Sequence, residues 1–232
     1  MSPVMKASGV WKLYPSGEST VQAVRGVDVS IDVGEMVAIM GPSGCGKTTL
    51  LNILSGIDEP NSGEVFVNGK PLFGITDDER TNMRSEHLGF IFQDFNLLPV
   101  LSACENVELP LLLLGYSASQ ARSGALDALD SVGLGDRAEH RPSELSGGQQ
   151  QRVAVARALV HKPSVILCDE PTGNLDSATS NEILSLLKQL NKEHSTTFLI
   201  VTHDSTIASH CSRTLRMSDG LIVEDSIHTE EE

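Results

Sequence analysis

Three short stretches of the chain are apolar at every position instead of alternating: Met36–Met40, Val165–Cys168 and Phe198–Val201. Continuous apolar runs of this length suit strands buried on both faces, as in a parallel sheet covered by helices. Each run stops at glycine or polar residues: Gly41, Asp169-Glu170 and Thr202-His203. Open α/β sheets bind ligands outside the carboxyl ends of their strands, so these three ends are expected to share one site. Between the runs the pattern changes to helical spacing. One helix is predicted from Thr48 to Ser55. Ser117-x-x-Gln120 opens another through Ala121, Ala125, Leu129 and Val132, with Gly133 as its stop. A third follows Asp176 and places Ile183, Leu184, Leu187 and Leu190 on one face. Val65-Phe66-Val67 before Asn68-Gly69 reads as a strand entering a tight hairpin. The expected architecture is α/β. A parallel-sheet core with an early antiparallel β part takes residues 1–93 and 159–223, a helical insertion takes 94–158, and an acidic tail takes 224–232 as a solvated end.

Leu111–Leu114, just beyond Glu108 and Pro110, is far shorter than the roughly 20 residues that span a bilayer. It reads as core of the insertion, with a partner-docking surface as the alternative. The stretch from Met1 to Trp11 has no basic region followed by a long apolar one, so no signal peptide is expected. A membrane connection then has to come through a partner. The chain has 232 residues, 40% of them hydrophobic, which is enough for a substantial core. Its net charge of −14 argues against nucleic-acid binding, which needs a basic face. The four cysteines, Cys45, Cys104, Cys168 and Cys211, lack metal or disulfide spacing and read as reduced cytosolic thiols.

The sharpest chemical signal follows the first apolar run. Gly41-Pro42-Ser43-Gly44-Cys45-Gly46-Lys47-Thr48 fits the pattern GxxxxGK[ST] between a predicted strand and a predicted helix, the context that motif requires. Glycines let the backbone wrap closely around phosphate with its N–H groups inward, and the helix adds its positive end. Lys47 is expected to reach the β- and γ-phosphates and the Thr48 hydroxyl to ligate Mg²⁺, with Thr49 beside them. An isolated acid pair after a strand marks a solvated turn. Beside a phosphate loop, Asp169 is instead expected to serve Mg²⁺, and Glu170 to orient or deprotonate the attacking water. His203 at the end of the third run is open to two readings, a satisfied surface residue or a group that bonds the γ-phosphate and holds the water against Glu170.

A second glycine-bearing helix start lies at Leu145-Ser146-Gly147-Gly148-Gln149, before a helix-compatible run from Gln150 to Leu159 that carries Arg152 and Arg157. Ser146 and Gln149 have capping-box spacing, and the glycines leave backbone N–H groups open to an anion. One nucleotide cannot readily be enclosed by both devices of a single subunit. A second copy of the chain resolves the mismatch.

With this segment the chain resembles the ABC (ATP-binding cassette) ATPase family over nearly its whole length. Leu145–Gln149 is similar to the signature motif, whose Ser146, Gly147, Gly148 and Gln149 would face the γ-phosphate held by the opposite subunit. Gln93 is similar to the Q-loop glutamine, which contacts Mg²⁺ and water and reports to the membrane partner. Tyr14 stands where the family places an aromatic on adenine, Gly173-Asn174-Leu175-Asp176 resembles the D-loop, and His203 resembles the switch histidine. The resemblance implies a P-loop NTPase (RecA-like) α/β core with an N-terminal antiparallel β subdomain and an inserted helical subdomain. It implies ATP and Mg²⁺ as cofactors, with Thr48, Gln93 and Asp169 on the metal and Lys47, Glu170 and His203 in catalysis. It also implies a homodimer with ATP in trans sites and an integral membrane permease as partner. The chain would then lie in the cytoplasm, peripheral to the inner face of the cell membrane.

Phe92–Pro99 and Pro171–Asp176 resemble the branch serving lipoprotein release, macrolide and peptide export and cell division. The alternatives are the energy-coupling subunit of a solute importer and a soluble non-transport ABC ATPase of DNA repair or translation. The missing second cassette or long coiled coil and the charge of −14 disfavour the soluble one. A regulatory ATP-binding module with little turnover is disfavoured by the intact Glu170 and His203.

Overall fold

A computed structural model describes residues 3–17 and 19–228. The chain opens with two long strands, β1 (Met5–Ser16) and β2 (Ser19–Ile31), followed by β3 (Met36–Met40) and helix α1 (Lys47–Leu54). Next come β4 (Ser62–Val67), β5 (Lys70–Pro71), α2 (Asp77–His87) and β6 (Leu88–Phe92). Three helices, α3 (Ala103–Leu113), α4 (Ala118–Ser131) and α5 (Gly147–Leu159), lead to β7 (Val165–Asp169). The last part holds α6 (Ser177–His194), β8 (Phe198–Thr202), α7 (Ser205–Ser209), β9 (Arg213–Ser218) and β10 (Leu221–Ile227).

The strands form two sheets. A four-stranded antiparallel sheet has the order β2-β1-β4-β5, and a six-stranded sheet has the order β10-β9-β3-β8-β7-β6. In the larger sheet every pairing is parallel except that of β10 with β9. Successive side chains of its central strands feed two separate cores. Met36, Ala38, Ile166, Cys168, Phe198 and Ile200 pack against the helices. Val37, Ile39, Val165, Leu167, Leu199 and Val201 pack with α1 and the antiparallel sheet. Burial on both faces is why these strands are apolar at every position. The Asn68-Gly69 hairpin is a two-residue turn with positive φ at both residues (50° and 73°), joining the pair Val67 and Lys70.

Between β6 and β7 the described chain is helical and carries no strand. This stretch has no core of its own: Ala103, Cys104, Val107 and Leu129 belong to the same cluster as Ile166 and Phe198. Ser117 caps α4 by the expected capping box, and Asp176 caps α6 through the N–H groups of Ala178 and Thr179.

Two expectations need correction. The acidic tail does not begin as a solvated end at Glu224, because residues 224–227 continue β10, where Glu224 pairs across to Arg216 and Asp225 is bound by Arg213. Of the apolar members of this strand only Ile222 packs against the core, while Leu221, Val223 and Ile227 are exposed, so no hydrophobic alternation marked its acidic end. Residues 229–232 lie outside the described part. Leu111–Leu114 is not uniformly core either: Leu111 is buried, while Leu112 is exposed and Leu113 is 80% exposed, because the helix turns them away from α4. All four cysteines are free and buried.

Candidate active site

The site is assembled where β3, β7 and β8 end. After Met40 the chain turns through Gly41–Gly46 into α1, whose N-cap is Gly46 with φ 103° and no side-chain cap. The first N–H groups of α1 are therefore left for a ligand, at the positive end of the helix. The loop is pressed between two strands. A Cβ on Gly46 would lie 2.1 Å from the Ala23 carbonyl oxygen, and one on Gly41 would lie 2.1 Å from that of Met217. Lys47 is buried, and its Nζ donates to the carbonyl oxygens of Gly41 (2.8 Å) and Pro42 (3.0 Å). Its charge thus lies inside the loop, cradled by two carbonyls and within electrostatic reach of Asp169.

A cavity of about 380 Å³ opens over this loop, walled by Gly44–Thr49, by Val21–Ala23 and Arg25 of β2, and by Asp219-Gly220 of the β9–β10 turn. Its size, the unpaired helix end and the paired-down lysine fit the phosphate chain of a nucleotide. Thr48 Oγ1 donates to Asp169 Oδ1 at 3.4 Å, bringing together a hydroxyl and a carboxylate of the kind that hold Mg²⁺. Burial, then the charge of Glu170, pushes the Asp169 carboxyl up, against the opposing pull of Thr48 and Lys47. A divalent cation is the natural relief of two acids held together in this way.

Glu170 turns away from its neighbour. Its φ of 48° lies in the left-handed region, sparse for a residue with a side chain. Its N–H donates to the Val201 carbonyl at 2.9 Å. Thr202 Oγ1 donates to Glu170 Oε2 (3.1 Å), and His203 Nδ1 stands 2.7 Å from Oε1. The His203 side chain is 70% exposed and that of Glu170 only 17%, so the histidine bridges a half-hidden carboxylate to the surface.

The remaining expected residues are spread around this centre. Gln93 follows β6, but its Nε2 donates to Asn174 Oδ1 (3.0 Å), and Asn174 Nδ2 returns a bond to the Gln93 carbonyl (3.2 Å). Its amide thus rests on residues 173–174 and not on the Thr48–Asp169 pair. Tyr14 pairs across β1–β2 with Val21, which lines the cavity, while its hydroxyl donates to Asp58 Oδ2 at 2.5 Å and Lys12 Nζ sits 5.1 Å from its ring. Burial, then Asp58, pushes the Tyr14 hydroxyl up. Ser146 caps α5 by the expected capping box: its N–H donates to Gln149 Oε1 (2.9 Å) and its Oγ accepts from the Gln149 N–H (3.3 Å). None of residues 146–149 lines the cavity over Gly41–Thr48.

The family model described as ABC transporter matches residues 24–173. The chain belongs to the ABC transporter family. The cassette is 48% identical over 215 residues to the uncharacterized ABC transporter ATP-binding protein YbbA of Escherichia coli (strain K12), covering 93% of this chain and 94% of that protein. It is 48% identical over 221 residues to the lipoprotein-releasing system ATP-binding protein LolD of Xanthomonas campestris, covering 95% and 92%. It is 46% identical over 219 residues to the macrolide export ATP-binding/permease protein MacB of Rhodopirellula baltica, covering 94% of this chain but 32% of that longer protein. Among solved structures, the ATP-binding cassette MJ0796, described as a dimeric post-hydrolysis state bound to ADP and Pi, matches with TM-score 0.88 and 44% identity over 98% of this chain and 100% of that one.

Some residues of the cassette's site carry no motif of their own. Arg25 of β2 and Asp219 of the β9–β10 turn reach the cavity from positions far apart in sequence. Arg157 of α5 donates to the carbonyls of Phe95 (2.8 Å) and Asn96 (2.5 Å), two consecutive residues with positive φ just after Gln93. Burial lowers its guanidinium pKa. Its place on a helix with arginines at several positions gave no sign of this clamp.

Proposed function

We propose that two copies of this ATPase close around two Mg²⁺-ATP and drive a separate membrane-embedded permease of the efflux or lipoprotein-release type. The observation carrying this reading is that one chain holds two glycine-bearing helix starts, at Gly46 and Ser146, which do not share a cavity. The dimeric state of the solved relative supports it. In the closed pair each nucleotide would lie between Gly41–Thr48 of one subunit and Ser146–Gln149 of the other. Thr48 and Asp169 would hold Mg²⁺, which supplies charge neutralisation at the phosphates. Gln93, whose amide rests on Asn174 here, would be the third group to hold it. Glu170 takes a proton from the attacking water, and His203 fixes the carboxylate through Oε1 and reaches the γ-phosphate from its exposed edge. Positioning and electrostatic stabilisation carry most of the rate.

No described helix is long and apolar enough to cross a membrane. The docking face we assign is a groove of about 450 Å³ between α2, β6, α3 and α5, lined by Phe90, Phe92, Pro110 and Leu113. Its lining includes Phe92 and Asn96, on either side of Gln93 in sequence, and Leu98 and Val100 of the chain that follows are exposed. Its occupant is a segment of the permease, which holds the cassette at the inner face of the membrane. The relatives named for lipoprotein release and macrolide export favour that branch over a solute importer.

The decisive experiment is size exclusion of Glu170→Gln with ATP and Mg²⁺, beside ATPase assays of the wild type and Lys47→Ala. An ATP-dependent dimer peak and loss of turnover in both variants are expected. A monomer that binds ATP sinks the trans-site reading.

A further inference from the structure

We propose that Gln151 is a positioning residue for hydrolysis, one side chain that sets the backbone on both sides of the reaction centre; this rests on Glu170 being the base. Gln151 is the fifth residue of α5 and is fully buried (0% exposed). Its Nε2 donates to the Pro171 carbonyl and to the Phe92 carbonyl (3.4 Å). Pro171 immediately follows Glu170, and Phe92 immediately precedes Gln93. A single NH₂ group therefore ties the base-bearing loop to the loop carrying Gln93.

The bond geometry leaves the amide no alternative orientation. Two carbonyl acceptors demand a donor, and a flipped amide would set Oε1 against both oxygens. In the observed orientation Oε1 is buried and unpartnered among the described residues. A side chain kept here for packing alone would be better served by methionine or leucine, which bury no orphan acceptor. The N–H pair is thus the part of the residue with a task. Pro171 explains why the task falls to a side chain: it has no backbone N–H, so its carbonyl is the one main-chain group by which that residue can be held. Glu170 needs such support, because a side-chain-bearing residue at φ 48° persists only where its surroundings over-determine it. The Val201 carbonyl holds its N–H, and the Gly173 N–H (3.0 Å) holds its carbonyl. Gln151 holds the next residue.

The test compares Gln151→Met, Gln151→Glu, Glu170→Gln and wild type in steady-state ATP turnover, Mg²⁺-free nucleotide affinity and thermal melting. Gln151→Met, with similar volume and no donor, is expected to lower kcat about tenfold to a hundredfold through misplacement of Glu170. Its KM and nucleotide Kd should stay within about twofold, and its Tm should fall by no more than about 5–10 °C, the cost of leaving buried carbonyls without their donor. Gln151→Glu adds a pH signature. Facing two carbonyls in a buried site, its carboxyl is pushed up, and only the protonated form donates. Its kcat relative to wild type should therefore rise as pH falls from about 9 to about 6. Wild-type kcat in Gln151→Met, or nucleotide Kd weakening in step with kcat, overturns the proposal. If Gln151→Met does not fold, a flat ratio of Gln151→Glu to wild type across pH overturns it alone. Wild-type turnover in Glu170→Gln removes the base and this proposal together, whereas an inactive Glu170→Gln beside a fully active Gln151→Met defeats only the role of Gln151.

Discussion

The two glycine-bearing helix starts of this cassette look alike in sequence and are built on opposite principles. At α1 the N-cap is a glycine in a left-handed conformation with no side-chain cap, and the loop before it is squeezed against Ala23 and Met217. Two acids lie at the neighbouring strand end, one with its carboxyl pushed up and the other at positive φ. At α5 the N-cap is Ser146 in ordinary extended geometry with a complete capping box. Its glycines have another reason to be small. A Cβ on Gly148 would lie 2.4 Å from Thr179 Cγ2, a residue that Asp176 holds by its hydroxyl at 2.6 Å. The first region gives up local stability for a polar cavity. The second is a relaxed helix end seated on α6, and in the proposed dimer it would become a binding element once the other subunit completes it. Unmet polar groups concentrate where chemistry is done, and satisfied ones where the structure only presents a face.

That contrast can be broken most forcefully at Gly46. Gly46→Ala puts a Cβ into the Ala23 carbonyl at a φ that side chains avoid, and nucleotide affinity should fall by about a hundredfold or more. Equilibrium titration of the purified variant reads it, and near-wild-type affinity would mean the loop is not the cradle described.

Gly148→Ala should instead leave Mg²⁺-free nucleotide affinity of the single subunit unchanged and lower stability by about 1–3 kcal/mol through overpacking. Adding Thr179→Ser removes the clashing methyl and keeps the hydroxyl for Asp176, so the double variant should recover most of the lost Tm. A double variant no more stable than Gly148→Ala would show that α6 does not set the size of that residue.

A smaller effect separates the two regions by the sign of their acids. The Asp169 carboxyl is raised by burial, so its ionised form is disfavoured in the folded, metal-free chain. A raised carboxylate destabilises above its folded pKa, and the penalty fades as pH falls through that value. Asp169→Asn should therefore raise the Tm of the nucleotide-free protein slightly at pH 7 and not at acid pH, while impairing Mg²⁺-dependent turnover. Asp176 behaves in the opposite way. Bonds from Thr179 hold its carboxyl low. Its contribution is present above the ordinary aspartate value of about 3.9 and is lost as pH falls through its lower folded pKa. The Tm difference between wild type and Asp176→Ala, positive near neutrality, should shrink only in that acid range. Parallel pH dependence for the two variants would erase the distinction.

Much of the fold was legible because its signals are local. Met36–Met40, Val165–Cys168 and Phe198–Val201 announce buried parallel strands by being apolar on both faces. Ser117 and Ser146 announce helix starts through partners three residues away. Helix α2 buries none of its residues, so no hydrophobic period marked it; β10 keeps Leu221, Val223 and Ile227 exposed and runs into an acidic stretch that hid it. The site divides along the same line. Gly41–Thr48, Asp169-Glu170 and Ser146–Gln149 form contiguous motifs, each set by short-range backbone chemistry. Arg25, Gln151 and Arg157 belong to no such run, because their roles depend on which distant carbonyls and strands the fold brings beside them.

By itself, then, the sequence determined the chemistry on offer: a phosphate loop, an acid pair, a second anion-binding helix end and a sheet buried on both sides. Tertiary structure decided what each group faces. It turned Gln93 onto Asn174, tied Tyr14 to Asp58, set His203 on Glu170 and gave a fully buried Gln151 the carbonyls of two loops to hold. The physical reason is range. Backbone propensity and capping act over a few residues, whereas a hydrogen-bond partner 20 or 59 positions away exists only once the chain has packed.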